Sequence, residues 1–334
     1  IVGLINERKD VPKAMGMLAT SIAVGGFGGS IIAGILTDMG LLSAAIIMPA
    51  IPLIIGVVLI GFNMPNQKRE GKVTIDVSGI VMLVVSLCGI LYALNFGSSI
   101  GWGQPSIIIG FVIGIIALVV FINIEKKAKE PLIPLKLFKN SQYTVLLIVG
   151  FICYFYQLAM NVYAPIGAMK VMGVSTSVAG ALQMPRTIIT IFLPTIAGVW
   201  VGKKSSNAWK AMVIGTLFAG LPMLAMGFTT TTTSIIVYFV ALTITGIAES
   251  YRCVSITPSA QAMLSQEDMG VGTSLVNFVN SLANTIAPAV FGVAYNLNTA
   301  TDPTNVTYIQ NGVNAVFLLA GVISIIGLVL VLFI

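Results

Sequence analysis

The chain has 334 residues, 57% of them apolar and only 8% charged, with a mean hydropathy of +1.01. A soluble domain carries roughly 25% charged residues, so this composition excludes a water-covered globular protein and leaves a polytopic membrane protein. The formal net charge of +6 sits in short segments between apolar runs, a topology signal rather than a phosphate-binding patch, so no nucleic-acid partner is expected.

Ten membrane spans are predicted, at 14–36, 42–62, 77–96, 105–124, 143–168, 177–200, 210–228, 234–260, 271–297 and 313–334. The runs are continuous rather than alternating, which indicates helices and not a barrel. The chain begins IVGLINERKD without Met and ends inside an apolar run, so it is expected to be part of a longer protein. Two connections are long and basic. Asn63 to Asp76 is one, with Asp76 a predicted N-cap for the third span. Glu125 to Gln142 is the other; its stretch Leu132 to Phe138 mixes apolar residues with Lys136 and is expected to lie on the inner membrane surface.

Orientation follows from the basic residues. With the segment before the first span inside, fourteen of the seventeen Lys and Arg fall in inner segments: Arg8, Lys9, Lys13, Lys68, Arg69, Lys72, Lys126, Lys127, Lys129, Lys136, Lys139, Lys203, Lys204 and Lys210. Outer loops hold only Lys170, and both chain ends are expected to be cytoplasmic. The inner loop with Glu267 and Asp268 breaks the basic pattern, but acidic residues weigh little in the rule. Asp38, at the outer end of the first span, reads as a cap or an interfacial residue.

Few residues could carry chemistry. There is no histidine, which excludes a histidine proton relay, a histidine-ligated metal and a Ser-His-Asp triad. No HExxH, GxSxG or P-loop pattern occurs, so an enzyme is not expected, nor a metal or cofactor. Cys88, Cys153 and Cys253 lie far apart inside apolar runs and read as buried thiols. In the fifth span Tyr154, Tyr156, Gln157, Asn161 and Tyr163 form a polar-aromatic cluster suited to hydrophobic cations, although Tyr163 also fits an interfacial belt. Arg186 follows Pro185 in the sixth span; it is either a cavity-facing arginine without a transport role or an ion-pair partner for Glu249. Glu249 and Arg252 lie three apart, deep in the eighth span. A charge at that depth costs about 2.5–3.5 kcal/mol on insertion scales, so the two form a structural pair or bind a proton or a cationic substrate. Asn277, Asn280 and Asn284 make a polar stripe in the ninth span, either interhelical contact or substrate site.

The first span holds the most patterned stretch, Gly16 to Gly34, GMLATSIAVGGFGGSIIAG. Gly25, Gly29 and Ala33 recur every fourth residue and share a helix face that lets another backbone approach. The order Gly16, Gly25, Gly29-Ser30, Ala33-Gly34 resembles the antiporter motif of the major facilitator superfamily, with Ser30 in place of its usual proline and Ala33 in place of a glycine. The order of DVSGIVMLVVSLCGILYALNFG before Gly101-Trp102, then EPLIPLKLF, then GVSTSVAGALQMP is similar to the fourteen-helix branch of drug:proton antiporters. That resemblance implies an all-α fold with four helices preceding residue 1. Residues 1–64 would then be two spans of the N-terminal bundle, 65–124 a linker and inserted helix pair, 125–142 a cytoplasmic connection and 143–334 a complete six-helix bundle. It implies a monomeric plasma-membrane exporter, exchanging protons for amphipathic or cationic drug-like compounds by alternating access. A metabolite uniporter or symporter of the same fold and a non-transporting remnant are the alternatives.

Overall fold

The computed structural model describes residues 10–63, 76–128, 131–133, 135–265 and 268–334. Among them there are helices and no strands. The helices are α1 (Val11–Asp38), α2 (Leu42–Ile47), α3 (Ala50–Asn63), α4 (Val77–Ile100), α5 (Pro105–Glu125), α6 (Ser141–Leu158), α7 (Ala164–Lys170), α8 (Thr176–Ala181), α9 (Met184–Lys203), α10 (Ser205–Met226), α11 (Ile235–Ala262), α12 (Met269–Thr299) and α13 (Val306–Leu332). Eight helical stretches among the described residues are long and apolar enough to cross a membrane, where ten were expected. The eight correspond to the third to tenth expected spans; the first expected span is the 28-residue α1, which is not among them. The second is divided: Met48 and Pro49 form a turn between α2 and α3, and Ala50–Phe62 is apolar but short. Pro49 and Pro52 have no N–H, so the ladder cannot run through them; the Met48 carbonyl is instead bonded by Ile51 N at 3.1 Å.

Helices α4 and α5 form a close hairpin. A Cβ at Gly89 would stand 2.5 Å from the Gly110 carbonyl oxygen and 2.9 Å from the Gly114 backbone, so only glycine allows this approach. Gly97 is flush with the Trp102 ring, which closes the turn between the two helices. Asp76 caps α4 as expected, accepting from Gly79 N at 2.9 Å. The hairpin meets the rest of the chain where α4 lies on α12.

Helices α6 to α8 and α10 to α13 pack around one core, with Tyr143, Tyr156, Tyr238, Phe291 and Phe317 buried completely, while α9 joins α10 and α11 in a second, smaller cluster through Ala197, Val201, Ala211 and Val254. α1 lies along α9 and touches α11. The connection before α6 is docked on protein. The buried Glu125 carboxylate accepts from Leu132 N at 3.1 Å and Ile133 N at 3.2 Å. Lys136, in the 3₁₀ turn Leu135–Lys139, bridges Asp268 at 2.8 Å, and Leu137 enters the core. The acidic loop is thus a counterion for the basic connection. Arg8, Lys9, Lys68, Arg69, Lys72, Lys129 and Glu267 lie outside the described residues, as does the Asp38 side chain. All three thiols are free; Cys153 is buried and Cys253 half-buried, but Cys88 is exposed on the outward face of α4, contrary to expectation.

Candidate functional site

The site begins with an irregularity in the fifth expected span. α6 passes into a π turn, Ala159–Tyr163, before continuing as α7. Here Ala164 N bonds back five residues, to Ala159 O. The next residue, Pro165, has no N–H to give to Met160 O. That carbonyl is left open and accepts Gln183 Nε2 at 3.0 Å. Gln183 itself sits in the break between α8 and α9, one residue before the helix that carries Pro185 and Arg186. Two helix defects therefore dock on each other and place Arg186 opposite α6. Single-turn π bulges are frequent at functional sites.

Helix α11 faces this junction with Glu249 and Arg252. Arg252 Nη2 donates to Glu249 Oε1 at 2.5 Å. Tyr156 Oη donates to Oε2 at 2.8 Å, and Arg186 Nη2 stands 4.0 Å from the same oxygen. The Arg252 guanidinium lies 4.4 Å from the centre of the Tyr154 ring, a cation–π arrangement. Arg186 also reaches Asn161 Oδ1, at 3.5 Å. The side chains are 18% exposed for Glu249, 13% for Arg186 and 8% for Arg252. The charges expected to be costly at bilayer depth are therefore grouped, with Arg186 as the second partner of Glu249.

These groups line a cavity of about 940 Å³ between α1 and the bundle formed by α6 to α13. Of the residues named from sequence, Tyr154, Gln157, Asn161, Arg186, Glu249, Arg252 and Asn277 all reach its wall. Asn284 does not: it lies farther along α12 and is exposed away from the cavity. Asn280 is on the wall, with a buried Oδ1 that has no hydrogen-bond partner. Tyr163 is buried edge-on against Phe291, with ring centres 6.2 Å apart. Sequence reasoning missed Gln183, Thr187, Thr190 and Thr257, all on the wall. The one sequence signal for them was polar residues recurring within otherwise apolar spans.

The opposite wall is α1, through Met15, Leu18, Ala19, Ile22, Ala23 and Gly26. The motif residues of this helix divide. Gly16 is in tight contact: a Cβ there would overlap the Pro194 carbonyl oxygen and stand 2.9 Å from its carbon. One turn on, Thr20 and Thr195 share a hydrogen bond at 3.0 Å. Gly25 and Gly29 do not face a helix at close range as expected; no described atom lies within 4 Å of where their Cβ atoms would stand. Ser30, Ala33 and Gly34 are helical, and their side-chain positions lie outside the described residues.

The family model of the Major Facilitator Superfamily matches residues 1–288. The multidrug transporter protein MdtP of Bacillus subtilis is 29% identical over 249 residues, covering 73% of this chain and 45% of that protein. Multidrug resistance protein 3 of the same organism is 25% identical over 228 residues, 68% of this chain and 44% of that protein. The lincomycin resistance protein LmrB of Listeria monocytogenes is 25% identical over 186 residues, 55% of this chain and 39% of that protein. The chain thus spans less than half the length of these three relatives.

Proposed function

Because the chain belongs to the major facilitator superfamily, whose members are transporters and not enzymes, we propose that it belongs to a secondary active exporter of amphipathic drug-like compounds. Its relatives are named for multidrug transport and resistance. The sequence reading extends the substrate class to cations. Alternating access would rock one bundle against the other about a site near the bilayer midplane. Residues 143–334 would form one complete bundle, residues 1–64 two helices of the other, and α4 with α5 the inserted pair, joined to the second bundle by 125–142. Both ends would be cytoplasmic, the membrane the plasma membrane, and the protein a monomer.

The observation that carries this reading is the ionised cluster on the cavity wall. Glu249 is the one carboxylate among the described residues that line the cavity. A rocking motion that separates it from Arg252, or admits water between them, changes its proton affinity. Proton uptake and cavity opening are thereby linked in one residue. The test is dye efflux from cells expressing the protein, before and after a protonophore collapses the gradient. Efflux should stop with the gradient. Efflux that ignores the gradient and follows ATP would reject this mechanism.

A further inference from the structure

The charges on the cavity wall restrict what the cavity takes. Among the described residues that line it, the charged side chains are Arg186, Glu249 and Arg252, one net positive charge with the carboxyl ionised. The carboxylate is already occupied: Arg252 is on Oε1, and Tyr156 and Arg186 are on Oε2. A cation would have to draw it away from three donors. Arg252 is enclosed, 8% exposed and stacked on Tyr154. Arg186 is different. A guanidinium has five N–H donors, yet its contacts here are long, 3.5 Å to Asn161 and 4.0 Å to Glu249; its buried Nε, like that of Arg252, has no acceptor. It stands on the wall with donors to spare. Across the cavity α1 offers Met15, Leu18 and Ile22, an apolar surface.

We propose that this cavity selects amphipathic compounds with an anionic head, a carboxylate or sulfonate, over cations, and that Arg186 is the specificity-determining residue. The head would sit at Arg186, where a planar fork meets two oxygens, and the hydrophobic body would lie on α1. An inside-negative potential also favours the exit of an anion. The inference rests on the cavity being the transport site.

The experiment is binding calorimetry on the purified full chain in neutral detergent, with three probes of one shape. These are 2-naphthalenesulfonate, 2-naphthyltrimethylammonium and the uncharged 2-naphthyl methyl sulfone. The sulfonate should bind at least about tenfold more tightly than the ammonium, a difference of about 1.4 kcal/mol. Arg186→Gln should lose that preference and leave the sulfone unchanged. Arg186→Lys, which keeps the charge without the fork, should retain part of it and serves if the glutamine variant does not fold. Equal or tighter ammonium binding by the unaltered protein overturns the proposal. So does a sulfonate-to-ammonium ratio that neither Arg186 variant moves. Gly180→Trp fills the cavity from α8, where no described atom lies within 4 Å of the Cβ position, and should abolish binding of all three probes. Sulfone binding that survives Gly180→Trp overturns the transport site as well. Sulfone binding lost in that variant, beside a flat charge ratio, overturns the anion preference alone.

Discussion

Replacing Glu249 with glutamine keeps the shape of the side chain and removes one charge from a cluster of three. The hydrogen bonds can be preserved. The glutamine oxygen can take Oε1's place before Arg252, and its NH₂ then faces the Tyr156 hydroxyl, which can turn from donating to accepting. The loss is therefore the charge. Removing one partner of a buried ion pair costs about 3–5 kcal/mol. Glu249 is 18% exposed to a cavity and Arg252 retains its stacking on Tyr154, so the lower end, about 3 kcal/mol, applies. Two guanidiniums on one carboxylate argue for a measurable penalty. Arg252→Ala should cost at least as much, since it strands the carboxylate. The double change Glu249→Gln with Arg252→Gln should recover most of the stability, because it removes both charges of the short pair. The equivalent cycle with Arg186 should show weaker coupling across its 4.0 Å gap.

Two readouts separate stability from function. Thermal unfolding of the purified protein, followed by tryptophan fluorescence, gives the stability cycle. Gradient-driven dye efflux gives transport, which Glu249→Gln should abolish even where protein level is restored. A Glu249→Gln protein as stable as the original would refute the charge argument. A stable double mutant that also pumps normally would reduce the cluster to a packing device.

Three further outcomes are expected. Gly16→Val should lower thermal stability by about 1–3 kcal/mol, the usual cost of overpacking, because its Cβ meets the Pro194 backbone and not a side chain that can turn away; unchanged unfolding would mean that the α1–α9 contact is not formed. Hydrogen bonding from Lys136, then from Ser265, holds the Asp268 carboxyl below its ordinary pKa; its small stabilising effect should be full above the unfolded value near 4 and disappear as pH falls through the lower folded value, and Asp268→Asn should remove that acid sensitivity from the unfolding curve. Cysteines placed at Lys127 or Lys204 should resist membrane-impermeant maleimide in intact cells and react once the membrane is opened; labelling from outside would invert the topology.

The spans were legible because length and apolarity are summed over many residues, and few local errors change the sum. The defects inside them were less so. The break at Met48–Pro49 had two prolines to announce it. The π turn at Ala159–Tyr163 had one, Pro165, which fits equally well in the first turn of a fresh helix. The carbonyl that the bulge exposes finds its partner, Gln183, on a segment twenty-three residues later, and no local pattern encodes that meeting. Glu249 and Arg252 were legible as a pair because three residues along a helix fix their proximity. Arg186 and Tyr156 joined them only through packing. Of the asparagine stripe, Asn277 and Asn280 reach the cavity, and Asn284 misses it for a geometric reason. Seven residues from Asn277 to Asn284 advance a helix by about 10 Å, enough to leave a cavity while staying on the same face.

Gly29 brings these threads to one measurement. The regular spacing of small residues in α1 argued for close packing along the whole helix, yet among the described residues tight contact with α9 is at Gly16 and Thr20. The cavity takes Met15, Leu18, Ala19, Ile22, Ala23 and Gly26 of this helix for its wall, and no described atom lies within 4 Å of where a Gly29 Cβ would stand. Leucine at Gly29 should therefore leave this conformation undisturbed and the thermal stability within about 0.5 kcal/mol of the original, apart from the gain from replacing a helical glycine. Alternating access requires the cavity to close in its other conformation, and small residues are where one helix can close on the backbone of another. Gly29→Leu should then bind the neutral naphthyl probe normally and fail in gradient-driven efflux. Loss of stability would show that Gly29 is packed in this conformation after all. Normal stability together with normal efflux would leave the spacing of small residues without a role in transport.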